Sequence, residues 1–229
     1  MTASAPVTYA RHVCPSPIRS KALSVTSAAE YVVAPVDRPG APQGRWTYDD
    51  YCALADDGRR YEIIDGMLYL TPSPKEAHQS SGVLFVTHLG THVHLGGLGR
   101  VYAAPFDVLL GPGTVTQPDV IVVLNANRDI ITADNIVGAP DLVIEIASPS
   151  TAGYDRREKQ NAYATARVPE FWVADPATRT IEVLVLEGDA YRSLGAFQGT
   201  ARLPSTVVPD LLVTAGEFFS RPPAIVSSP

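Results

Sequence analysis

The chain has 229 residues, 45% of them hydrophobic, with a mean hydropathy of +0.05 and a formal net charge of −6. That is enough for one sizeable domain with its own core. The negative balance argues against a protein that coats nucleic acid non-specifically, while leaving room for a small basic groove on an acidic body. Only Cys14 and Cys52 are present, which excludes a disulfide framework and a four-cysteine zinc site.

The two cysteines without a disulfide framework point to a reducing cytoplasm, and no apolar run approaches the roughly 18–20 residues that span a bilayer, so no membrane partner is expected. Residues 1–44, rich in Ala, Ser, Pro and Val, lack an apolar stretch of signal-peptide length. They read as a flexible arm with one short strand near 31–34, and residues 221–229 read as a loose tail. The single domain between them, 45–220, opens with Thr47 capping a helix over 48–55, Asp49 and Asp50 lying in its first turn. "RRYEIIDGMLYL" follows as two short strands around an Asp65-Gly66 turn, an added N-terminal hairpin. "TPSP" at 71–74 breaks the chain. "KEAHQSSGVLFVTHLGTHVHL" then spaces its residues at helical intervals up to Gly96-Gly97. Strands are expected at "RVYAA", "FDVLL" and "DVIVVL", with "GPGTVTQP" as the turn between the last two. A strand over 141–146 precedes a helix over 156–167, whose start Asp155 and Glu158 mark as a capping-box pair. "EFWVAD" and "TIEVLVLE" form a hairpin around "PATR", and "AYRSLGAFQG" adds a strand. The order predicts an α/β fold, a curved mixed β-sheet flanked by helices.

The chemistry starts from a puzzle at 141–146. This strand is built of Leu, Val and Ile yet carries Asp141 and Glu145, and an ionised carboxylate in such a place costs several kcal/mol unless something compensates it. Alternation puts Asp141, Val143 and Glu145 on one face. Asp119 stands after Pro118 at the mouth of "DVIVVL". If the two strands are neighbours, Asp119 and Glu145 come within reach of one ion. Two carboxylates with carbonyls and water suit Mg²⁺ or Mn²⁺, which polarises a phosphodiester and lowers the pKa of a bound water. A nearby cation would balance the developing charge. Lys159 is the candidate, because Arg156, Lys159, Gln160 and Tyr163 share one helix face that can lean over the strand end.

Plainer readings stand beside these. Asp119 can be a turn residue after proline, Asp141 a strand-start residue in solvent or a support for the site, and Glu62 a solvated edge residue. Lys159 can be an exposed helix lysine paired with Asp155 or Tyr163, and His78 can satisfy a helix terminus. His88, His92 and His94 include two histidines at i, i+4, but Leu89 stands where a zinc protease needs its glutamate. No Ser-His-Asp or Cys-His arrangement is recoverable from spacing.

Taken together, "YEIIDGMLYLTPSPKEAH", "QPDVIVV", "GAPDLVIEIASPST", "DRREKQNAY" and "PEFWVADP" resemble the Uma-two family of restriction-endonuclease-like proteins, within the PD-(D/E)XK nucleases. The resemblance spans about residues 47–188. It implies a restriction-endonuclease-like core, Mg²⁺- or Mn²⁺-dependent cleavage of DNA, and a homodimer. Asp119 and Glu145 would be the metal ligands and catalytic residues, with His78 and Glu62 matching further motif positions around the same pocket. The parent motif has its lysine two places after the acid, where this chain has Ala147; the Uma-like lysine on the next helix matches Lys159. The expected function is therefore a metal-dependent endodeoxyribonuclease. The alternatives are a non-catalytic binding module that retains the nuclease fold, which the acidic balance and the displaced lysine favour, and hydrolysis of another phosphate ester.

Overall fold

In the computed structural model, residues 36, 38–147 and 155–219 are described. The possible strand at 31–34, most of the N-terminal arm and the C-terminal tail lie outside them. Val36 and residues 38–44 are already bound to the first hairpin, Val36 N donating to Leu68 O and Gly44 N to Gly66 O.

Thr47 caps helix α1 (Tyr48–Cys52) through a reciprocal capping box with Asp50. Strands β1 (Arg60–Ile64) and β2 (Met67–Thr71) are joined by the expected turn, with Asp65 at φ 50° and Gly66 at φ 74°. Gly66 is required there: a Cβ would sit 2.6 Å from the backbone of Gly44. Helix α2 (Glu76–Leu89) runs on into a π-helical turn (Gly90–Leu95) before β3 (Gly99–Ala103).

The segment "GPGTVTQP" is more than a turn. It holds strand β5 (Thr114–Thr116), which pairs with both β4 (Val108–Gly111) and β1. With β7 (Ile136–Val137) these strands form a sheet of their own, in the order β2-β1-β5-β4-β7. The mixed α/β class holds, but two sheets stand where one curved sheet was expected. The reason is the continuity of the segment, because β5 ends at Thr116 and β6 (Val120–Leu124) begins in the second sheet four residues later.

The second sheet follows the order β11-β10-β9-β8-β6-β3, where β8 is Leu142–Ile146, β9 Glu170–Asp175, β10 Thr180–Glu187 and β11 Ala190–Gln198. Only β8 and β9 run parallel in it, the connection being helix α3 (Asp155–Thr165). Asp155, expected as its cap, already lies within the helix.

Strand alternation sorts the sheet's two faces. Leu142, Ile144 and Ile146 pack with Phe85, Leu89 and Val93 from α2 and its extension, and with Trp172 and Phe218. Val143 faces the other way, onto Tyr163, Val168 and Phe171. α3 therefore covers the face that carries Glu145.

Candidate active site

The register of the second sheet brings the two acids together. β6 and β8 pair antiparallel, with Val120 opposite Ile144 and Ile121 opposite Val143. Continued by one residue, this register sets Asp119 opposite Glu145, and directly opposed residues place their Cβ atoms roughly 4.5–5.5 Å apart. The next backbone group agrees: Ile146 N donates to Asp119 Oδ2 at 2.7 Å. Both carboxylates line one cleft of about 310 Å³, together with His78 and Lys159.

Each acid is held from one side. His78, on the first turn of α2, places Nε2 3.1 Å from Asp119 Oδ2. From α3, Tyr163 donates to Glu145 Oε1 at 2.5 Å and Lys159 Nζ lies 3.1 Å from the same oxygen. Asp119 Oδ1 and Glu145 Oε2 carry none of these bonds.

Glu62 arrives from the other sheet. It is 3% exposed and accepts from Gln117 N at 2.6 Å, while Thr71 Oγ1 is 3.3 Å from Oε2. Its third partner is Lys159, at 2.9 Å. Lys159 is thus not an exposed helix lysine; it is buried between two glutamates because α3 lies across both sheets. Glu62 is likewise no solvated edge residue. Residues 117–119, the link between the sheets, carry the backbone donor to Glu62 and the carboxylate of Asp119 two positions apart.

Charge at the centre is unbalanced. Glu62, Asp119 and Glu145 face Lys159, and the Glu145 carboxyl is pushed from 4.5 up to about 8. Desolvation is the main cause; the Asp119 and Glu62 charges add to it, against the opposing pull of Lys159 and the Tyr163 hydrogen bond. The side chain keeps 17% exposure, on the cleft side. Burial and the neighbouring carboxylates push the Tyr163 hydroxyl up as well. A cation entering the cleft would relieve this excess.

Asp141 takes no part. It is buried, accepting from Leu124 N at 2.7 Å and Asn127 Nδ2 at 2.6 Å, and ties β8 to the end of β6 instead of facing solvent. The histidines near 90 do not form a metal site: His88 packs edge-on against Phe218, and among the described residues no three His, Cys, Asp or Glu side chains are grouped to hold an ion. A Mg²⁺ site needs only one or two carboxylates, since this ion retains several waters, so the pair Asp119–Glu145 still fits.

Arg60, Asp175 and Glu182, all lining the cleft, escaped the sequence reading. Arg60 shares the face of β1 that carries Glu62, and the two-residue alternation was the signal available for it.

A family model described as "Putative restriction endonuclease", Uma2, matches residues 47–217. The chain belongs to the Uma2 family. This is the Uma-two group that its motifs resemble, and the assignment makes it a nuclease-family protein. Among solved structures, a crystal structure of "a putative nuclease belonging to DUF820" from Anabaena variabilis ATCC 29413 is similar, with a TM-score of 0.65 at 20% sequence identity. The match covers 76% of this chain and 97% of that one. At that identity the likeness carries the fold alone. A search of curated proteins finds no match. Among the described residues, no helix of this Uma2 protein is long and apolar enough to cross a membrane.

Proposed function

We propose that this Uma2 protein is a divalent-metal-dependent endonuclease that hydrolyses DNA phosphodiester bonds. The observation that carries the reading is the opposition of Asp119 and Glu145 across paired strands, at the wall of one cleft, with Lys159 delivered to Glu145 from the following helix.

Asp119 and Glu145 would hold Mg²⁺ or Mn²⁺ through Oδ1 and Oε2, the oxygens that carry no hydrogen bond among the described residues. When bound, the ion supplies a Lewis acid for the phosphodiester and a water of lowered pKa. His78 and the Ile146 amide fix the Asp119 carboxylate, and Tyr163 fixes that of Glu145. Lys159 keeps Glu62 and Glu145 in place and sets a positive charge beside the reacting phosphate. Its position on α3 replaces the lysine that the parent motif carries where Ala147 stands.

A second reading has support too. Lys159 is engaged by two glutamates, which leaves less of its charge for a substrate, and this favours a binding module without turnover. The two separate cleanly. Nuclease action predicts Mg²⁺- or Mn²⁺-dependent cleavage of plasmid or single-stranded DNA that falls by roughly 100-fold or more in Glu145→Ala, as expected when a metal ligand is lost. Equal cleavage by both proteins contradicts it. Mn²⁺ binding by calorimetry without any cleavage selects the binding module.

A further inference from the structure

We infer that the site takes DNA as an unpaired strand, with Arg60 gripping the phosphate and one nucleoside lodged in each of two cavities on either side of it. The inference rests on the nuclease reading and names its substrate class.

Among the described residues, Arg60 is a cleft cation that no protein group pairs. Its Nε is buried and has no hydrogen-bond partner among the described residues. Elsewhere the guanidiniums of Arg38, Arg167 and Arg192 each meet a carboxylate, Asp57, Asp189 and Glu187 respectively. A half-buried guanidinium without a carboxylate is costly to keep, and its planar fork of donors matches a phosphate.

Its position suggests which phosphate. The catalytic cleft of about 310 Å³ is not alone: a second cavity of about 340 Å³ lies beyond it, walled by Gly82, Val83 and Val86 of α2 and by Ala103 at the end of the edge strand β3. The two share Arg60, Pro74, His78, Asp119 and Ile146. Arg60 and the two polar residues of the proposed centre therefore form the partition between two rooms. Each is near the lower end of small-ligand pockets, about 300 Å³, a size for one nucleoside.

A double helix fits this poorly. Its bases are stacked inside, and it presents about one negative charge per 1.7 Å of axis, which calls for a broad basic face. The first cavity instead holds Asp119, Glu145, Asp175 and Glu182 against Arg60 and Lys159. An unpaired strand can splay its bases into flanking pockets and needs cationic contact mainly at the phosphate between them.

Fluorescence anisotropy of a labelled single-stranded 12-nucleotide DNA and of its duplex, both in EDTA, tests the inference without cleavage. The single strand should bind at least about tenfold tighter than the duplex. Arg60→Ala should weaken it at least about tenfold and Arg60→Lys by less, while Mn²⁺ affinity by calorimetry stays within about threefold of wild type. Gly82→Leu gives a second test that spares the fold, since a Cβ at Gly82 meets only Ile146 Cδ1 at 3.7 Å. Its side chain enters the second cavity and should weaken the single strand comparably. Duplex binding as tight as single-strand binding, no binding of either, or wild-type binding by both variants overturns the inference. Loss of Mn²⁺ binding or of Mn²⁺-dependent cleavage speaks separately, against the catalytic reading.

Discussion

Glu145 concentrates the site's electrostatics. Its folded pKa is raised, from 4.5 to about 8, so in that interval the folded protein holds a proton that the unfolded chain has released. Its contribution to stability is therefore fully present below 4.5 and is lost as the pH rises through about 8. In EDTA, the melting temperature of wild type relative to Glu145→Gln should fall between about pH 5 and about pH 9, because the amide cannot titrate. A difference that stays flat across this range would contradict the assignment. Asp119 shows how far sequence alone reaches at this scale. The Pro-Asp motif and the alternation in 141–146 were enough to select both acids. Tyr163 was placed by the helix face it shares with Lys159 and His78 by the family resemblance, whereas Arg60 beside them depends on which elements meet across the cleft, and single-chain patterning carries little of that.

Among elements, β9 carries a carboxylate that works only structurally. Glu170 is fully buried and accepts from Trp172 Nε1, Ser205 Oγ, and both N and Oγ1 of Thr206. These bonds clamp the segment after β11 onto the centre of the second sheet. Glu170→Ala would leave several buried donors unpaired, at roughly 1–3 kcal/mol each before relaxation. A loss of at least about 3 kcal/mol is expected, or some 6–12 °C of melting temperature by calorimetry. A change under about 2 °C would show that the clamp is dispensable. Glu170 sits in a strand like Glu145 and reads no differently in the sequence. Helices, hairpins and most strands were legible because each has a local cause: Thr47 with Asp50, Asp65-Gly66, the alternation around Val143. The first sheet, as a unit separate from the second, was not, because β5 is three residues long and owes its existence to partners far away in the chain. The same limit hid β7, two residues that pair with β4.

At the scale of the whole molecule, two sheets meet at residues 117–119 and one helix, α3, bridges them. Glu62 from the first sheet and Glu145 from the second both close on Lys159, so the fold's junction and its candidate active site coincide. Two glutamates meet Lys159 there with Asp119 beside them, and a divalent ion is the group proposed to balance them. Crystals soaked in MnCl₂ and measured for anomalous scattering give the most direct reading. The account predicts one strong peak bonded to the carboxylates of Asp119 and Glu145, at roughly the 2.0–2.2 Å of small hard cations with oxygen ligands. Density that avoids this pair, or lies at other acids while the cleft stays free of manganese, would contradict it.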